Sequence, residues 1–168
     1  MMRARRWYLA IALVVVVLDQ VTKSWALDAL DDGRVIDVVG TLRFALGFNS
    51  GMAFSKGEGW GPVIGVVATA VLVYLLSTLR RTGSAVSATG LALVIGGASG
   101  NLVDRLFRGD AWMRGSVVDF IDLQWWPVFN VADSAITVGA VLLVLGALRE
   151  GRNAGADGAT ETEEAPSG

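Results

Sequence analysis

The sequence predicts a mainly α-helical membrane protein, with four transmembrane helices and a small extracytoplasmic β-sheet. Three observations carry that prediction. The chain is 53% apolar and only 18% charged, below the roughly one quarter charged residues of soluble domains, and its mean hydropathy is +0.53. Apolar segments of about 20 residues, enough to cross a hydrocarbon layer about 30 Å thick, recur along it. Between the first two lies a polar, β-branched, glycine-punctuated stretch unsuited to a helix. These segments leave no room for a separate soluble domain, so residues 1–150 read as one membrane domain and 151–168 as a disordered acidic tail.

Arg3, Arg5 and Arg6 precede an apolar run from Trp7 to Leu18, a pattern shared with cleavable secretory signals. The run continues at helical spacing through Asp19-Gln-Val-Thr-Lys23 without a small-residue cleavage site, so Trp7 to about Leu27 is the first span. Asp31-Asp32-Gly33 signals a turn. From Arg34 onward, β-branched and aromatic residues interrupted by Gly40 and Gly47 predict short strands, in a sheet over about 34–54 closed by Asn49-Ser-Gly-Met-Ala-Phe54. Gly61 to Leu79 is the second span, stopped by Arg80-Arg81. The third runs from about Ala85 to Leu106, and its Gly96 and Gly100 permit close helix approach. A loop from Phe107 to Trp126 leads to the fourth, Val128 to Leu148, with Pro127 just ahead of the helix where its missing N–H is harmless.

The chain contains no cysteine and no histidine, which excludes disulfides, thiol nucleophiles, Ser-His triads and the commonest transition-metal ligands. Chemistry is left to Asp, Lys, Ser or Asn. No basic stripe with interleaved aromatics is present, so nucleic acid is not an expected partner. The N-terminal arginines, the tight Arg80-Arg81 turn and Arg149 with Arg152 place both termini in the cytoplasm, although the contrast with the more acidic outer loops is modest.

Depth then groups the unusual residues. At about 1.5 Å per helical residue, Asp19 lies about 18 Å above Trp7, Lys23 and Asn101 about 24 Å up their helices, and Asp133 only about 8 Å below the outer surface. All fall on the outer side. Asp19 with Lys23, Asn101 with Asp104 and Arg105, and Asn130 with Asp133 and Thr137 each share a helix face, and ionisable groups in spans are usually functional or paired. Plainer readings stand beside this one. Asp19–Lys23 reads equally well as an intrahelical ion pair, Asp104 with Arg105 or Arg108 as a helix-end cap, and Asp119, in a loop, as a solvated carboxylate.

Two carboxyls sharing a partly desolvated site hold one proton between them. The ionised member can then draw a proton from water while the protonated one polarises a carbonyl. Asp104, Asp119, Asp122 and Asp133 compete for that role, with Asp122 the weaker rival, and an all-carboxylate site for a hard cation is a further option.

Five blocks in order, Asp19-Gln-Val-Thr-Lys23, Asn49-Ser-Gly-Met-Ala-Phe54, Gly96-Gly-Ala-Ser-Gly-Asn-Leu-Val-Asp-Arg105, Val117-Val-Asp-Phe120 and Phe129-Asn-Val-Ala-Asp-Ser134, resemble the lipoprotein signal peptidases, the type II signal peptidases. The resemblance implies a bacterial inner-membrane aspartic endopeptidase, active at the extracytoplasmic face without metal or cofactor. Such an enzyme removes the signal peptide from prolipoproteins just before a diacylglyceryl-modified cysteine, and is inhibited by globomycin. It implies Asp119 and Asp133 as the catalytic dyad. Asp19, Lys23, Asn49, Gly51, Asn101, Asp104, Arg105, Asn130 and Ala132 are implied to shape or support the site. Lipidated prolipoproteins and membrane lipids are the expected partners, and a monomer the expected state. Ala98-Ser99 stands where the family often has bulkier residues. The alternatives are a small ion-coupled transporter using the intramembrane carboxylates and a Ser-Lys signal peptidase, disfavoured because Lys23 and Ser24 do not face each other on a helix.

Overall fold

The computed structural model describes residues 2–50, 61–109 and 115–163. In chain order these form α1 (Met2–Leu30), β1 (Val35–Val39), β2 (Leu42–Asn49), α2 (Gly61–Leu79), α3 (Ala85–Phe107), β3 (Val117–Asp122) and α4 (Val131–Glu163). Among the described residues three helical segments are long and apolar enough to cross a membrane, Arg6–Leu30, Ala85–Phe107 and Val131–Arg152. Helix α2 covers the 19 residues expected for the second span, Gly61–Leu79, of which Gly65–Leu79 is the apolar part among the described residues.

Helix α1 outruns the expected span at both ends, because Arg5, Arg6 and Ala29 are all helix-compatible. It stops where Gly33, at φ 79°, returns its N–H to the Leu30 carbonyl at 3.2 Å, a left-handed conformation glycine adopts without penalty.

Helix α3 is the hub, and small residues let its neighbours in. A Cβ on Gly90 would lie 2.7 Å from the Gly139 carbonyl, and one on Gly139 would lie 2.6 Å from that of Gly90, so α3 and α4 touch backbone to backbone. Gly96 meets Ala12 and Val15 of α1, and Gly97 meets Ala132 of α4. Without a hydrophobic drive between helices in lipid, such close packing is what associates them.

The sheet is antiparallel in the order β1-β2-β3 and sits against the end of α1. The expected sheet over 34–54 is therefore incomplete: its third strand comes from Val117–Asp122, expected to be loop. Pairing of Gly47 with Asp119 and Asn49 with Val117 draws it in. The block from Gly51 to Phe54 lies outside the described residues. Phe120 closes a cluster with Ala26 and Leu30 of α1, and Trp25, Phe44 and Phe120 pack with ring centroids 5.3–6.1 Å apart, within the favourable range for aromatic pairs.

Helix α4 starts at Val131 rather than Val128. Phe129 bridges to Ile121 of β3 and Asn130 caps the helix, so Pro127 stands ahead of the helix as expected, but further from its first turn. At its far end α4 is helical to Glu163, into the segment read as a disordered tail; no proline intervenes before Pro166 to stop it.

Replacing Gly139 by Ala should cost about 1–3 kcal/mol through overpacking at the α3–α4 crossing, read as a lower Tm in detergent. Gly151→Ala, where nothing lies within 4 Å, should not lower Tm, since alanine favours the helix over glycine.

Candidate active site

The site lies where the C-terminal ends of α1 and α3 meet the start of α4 and strand β3. Its base is Lys23, wholly buried together with Asp19 and Asp104. The Lys23 Nζ lies 2.8 Å from Asp19 Oδ2 and 2.8 Å from Asp104 Oδ2, and donates to Asn101 Oδ1 at 2.9 Å. Three ammonium donors thus meet three acceptors. The intrahelical pair read from sequence is there, but it is shared with a second helix.

Asp104 takes a second cation, Arg108 Nε at 2.7 Å, so two carboxylates face two positive charges. Its Oδ2 also accepts the Val118 N–H at 3.2 Å, which ties β3 to α3. Asp19 Oδ1 accepts the Ala132 N–H at 3.0 Å; a carboxylate at the first turn of α4 is favoured by that helix's dipole. This backbone amide is what Ala132 contributes, and its side chain is buried.

Two asparagines carry the polar chain outward. Asn101 Oδ1 is engaged by Lys23, so its Nδ2 faces Asp133 and donates to Oδ1 at 2.9 Å. Asn130 Oδ1 accepts the Asp133 N–H at 2.9 Å, while Asp133 Oδ2 accepts the Asn130 N–H at 3.3 Å. That is a reciprocal cap of the capping-box kind. With its oxygen committed, Asn130 turns Nδ2 to Asp119 Oδ1 at 2.7 Å.

Asp119 is not the solvated loop carboxylate that its sequence position alone suggests. It is 4% exposed on a strand buried along nearly its whole length. Burial, then the nearby Asp133, push its carboxyl up from the ordinary 3.8 to about 6, against the hydrogen bonds from Asn130 and Asn49. Arg105 lies within electrostatic reach of Asp104, Asp119 and Asp133, and its buried Nη1 has no partner among the described residues.

Asp122 drops out by strand alternation, which turns it to the opposite face from Asp119. There it accepts the Gln124 N–H at 2.7 Å and pairs with Arg43 at 2.7 Å, contacts that hold it below its ordinary value. Asp19, Lys23, Asn49, Asn101, Asp104, Arg105, Asn130, Ala132, Asp119 and Asp133 therefore converge, while Gly51 lies outside the described residues. Sequence reasoning missed Gln20, whose Nε2 reaches Asp104 Oδ1 at 3.0 Å and the Gly100 carbonyl at 3.1 Å. The one available signal was a polar residue inside an apolar span.

Fold and site define a membrane protein with a desolvated carboxylate centre at one end of its helices. The profile of the family described as signal peptidase (SPase) II matches residues 11–149, and the chain belongs to that family. It is 47% identical over 144 residues to the lipoprotein signal peptidase of Mycobacterium leprae (strain Br4923), covering 85% of this chain and 72% of the relative. Against that of Mycobacterium tuberculosis (strain ATCC 25618 / H37Rv) the identity is 46%, covering 85% and 71%. A bacterial membrane enzyme solved by the in meso method at 2.3 Å superposes with a TM-score of 0.76 at 28% identity, covering 87% of this chain and 90% of the other.

Replacing Lys23 by Met should destabilise the protein by about 3–5 kcal/mol, because two carboxylates lose a shared buried partner; thermal unfolding in detergent reads this. Folding raises the Asp119 pKa, so its stabilising contribution is whole below pH about 4 and is lost as pH rises through about 6. Asp119→Asn should therefore be more stable than the parent at pH 8, by no more than about 3 kcal/mol, with the gap closing towards pH 4.

Proposed function

We propose that the chain is a membrane aspartic endopeptidase that removes the signal peptide from diacylglyceryl-modified prolipoproteins, with Asp119 and Asp133 as the catalytic pair. The single observation that carries the pair is Asp119, a buried carboxyl raised to about 6 beside a second carboxyl, in a chain of the signal peptidase II family.

In this reading Asp119 carries the proton of the pair and Asp133 acts as the base. Asp133 takes a proton from water as its oxygen attacks the scissile carbonyl carbon, and Asp119 gives its proton to the carbonyl oxygen. The gem-diol collapses as the C–N bond breaks: the proton held by Asp133 passes to the leaving amine, and one diol hydroxyl returns its proton to Asp119 as the new carboxyl forms, restoring the pair. The Asn101 and Asn130 amides keep both carboxylates aimed, so little reorganisation accompanies the reaction. Asp19, Lys23 and Asp104 form the neutralised base beneath. Asn49 and Gly51 belong to the segment that would hold the peptide, Arg105 to the charge environment of the pair, and Ala132 to the seat of Asp19.

The remaining expectations fit the same arrangement. Helix α2 would serve as a fourth span, both termini would be cytoplasmic, and the site would open at the extracytoplasmic face of the inner membrane. Residues 1–150 would form the catalytic unit, acting as a monomer, and 151–168 an appendage without a catalytic role. A proton-coupled carrier is disfavoured, since its carboxylates should be spread through the membrane depth, whereas these gather at one end.

Asp119→Asn and Asp133→Asn should each insert normally yet stop cleavage of a lipidated prolipoprotein peptide in bilayers; full processing by either would remove the pair from the reaction. For the parent, kcat/KM should fall as pH rises through about 6, and globomycin should block turnover.

A further inference from the structure

The end of the helix bundle opposite the carboxylates carries a cleft that the reaction does not use. Helices α1 and α2 each lie against α3, but among the described residues they are not packed along one another. The seam between them is open over about 400 Å³, with Leu9 of α1 on one wall, Leu76 and Leu79 of α2 on the other, and Arg80 at the rim. Leu79 is buried in a cluster with Ala12 and Leu91, so the floor is apolar core. Leu9 is 50% exposed and leaves the cleft open on the lipid side.

The cleft lies at headgroup depth. Trp7, 73% exposed, stands two residues before Leu9 at the start of the apolar span Arg6–Leu30, where an amphipathic indole suits a membrane–water boundary. Helix α2 ends at the same level. The Arg81 N–H donates to the Thr78 carbonyl at 2.8 Å and the Thr82 N–H to the same oxygen at 3.1 Å, a closing turn that leaves Arg80 and Arg81 exposed. Arg6, Arg149 and Arg152, also exposed, add positive charge to this end. Among the described side chains here the acidic one is Glu150, whose Oε1 accepts the Ser87 hydroxyl at 3.2 Å. Apolar walls with a guanidinium at the mouth, in a surround of excess positive charge, match an amphiphile with an anionic head.

We propose that the α1–α2 cleft binds one anionic glycerophospholipid of the leaflet opposite the carboxylate site, with an acyl chain between Leu9 and Leu76 and the phosphate at Arg80. The chain supplies little selectivity, because it leaves lipid for an equally apolar wall. Selection falls to the head. A planar guanidinium takes two phosphate oxygens at once, and a net negative head suits the surrounding arginines, whereas a zwitterionic head brings a cation of its own. Bound there, the lipid joins α1 directly to α2, which are otherwise held together through α3.

The test uses the full chain in phosphatidylcholine bilayers with and without phosphatidylglycerol. Phosphatidylglycerol should raise Tm, and it should be the lipid retained when the protein is released into mild detergent and weighed by native mass spectrometry. Arg80→Gln should weaken that retention by about fivefold. Leu9→Trp, which fills the cleft and keeps every charge, should weaken it at least as much. Arg152→Gln removes the same charge from the same end, away from the cleft, and should leave retention unchanged.

Equal retention of the two lipids, or a loss in Arg152→Gln as large as in Arg80→Gln, would reduce the effect to diffuse surface charge and overturn the proposal. If inorganic phosphate reproduced the Tm rise in pure phosphatidylcholine, or if Leu9→Trp retained phosphatidylglycerol as the parent does, the cleft would hold no acyl chain and the proposal would fall.

Discussion

The Lys23 ammonium is the contact on which the other polar groups depend. A lysine buried at membrane depth is tolerated only if every donor is met, and here α1 supplies one acceptor and α3 two. Through Asn101 the cation orients the amide that holds Asp133. Through Asp104 it fixes the acceptor of the Val118 N–H, and so the strand that carries Asp119. Both proposed catalytic carboxylates inherit their positions from one positive charge that touches neither.

That dependence explains why so many polar residues cluster where each alone would be costly. Asp19 and Asp104 are balanced by Lys23 and Arg108, and their spare oxygens are taken up by the Ala132 and Val118 amides. The excess of unpaired charge is pushed outward to Asp119 and Asp133, whose nearest donors are neutral amides. A carboxylate held by amides is restrained in direction, and Asp119 is raised by its burial and by the nearby Asp133 despite those hydrogen bonds.

Much of this arrangement was legible in the residues. The apolar runs located the helices, and helical rise brought Asp19, Lys23, Asn101, Asp104 and Asp133 to one depth before any contact was known. The i,i+4 spacing of Asp19 and Lys23 was a true ion pair, yet its sharing with Asp104 depends on Gly100 admitting α1 to α3, which local pattern does not encode. Strand β3 was hidden for a different reason. Buried on both faces, Val117–Asp122 lacks the alternation that marks a strand, and its partner β2 is far away in sequence, so Asp119 looked solvated. The start of α4 was blurred because Val128 and Phe129 continue the apolar run; the Asn130–Asp133 cap was the better marker.

The backbone contact of Gly90 with Gly139 has a mechanical consequence. Helices separated by side chains can slide as those side chains change rotamer, whereas two backbones in contact have no such compliant layer. The α3–α4 pair therefore behaves as a rigid frame, and Asn101 and Asp133, one on each helix, keep their separation through the catalytic cycle. Any widening that admits a bulky reactant is left to the opposite wall, where β3 is joined to the frame by the hydrogen bonds of the Val118 N–H to Asp104 and of Asn130 to Asp119.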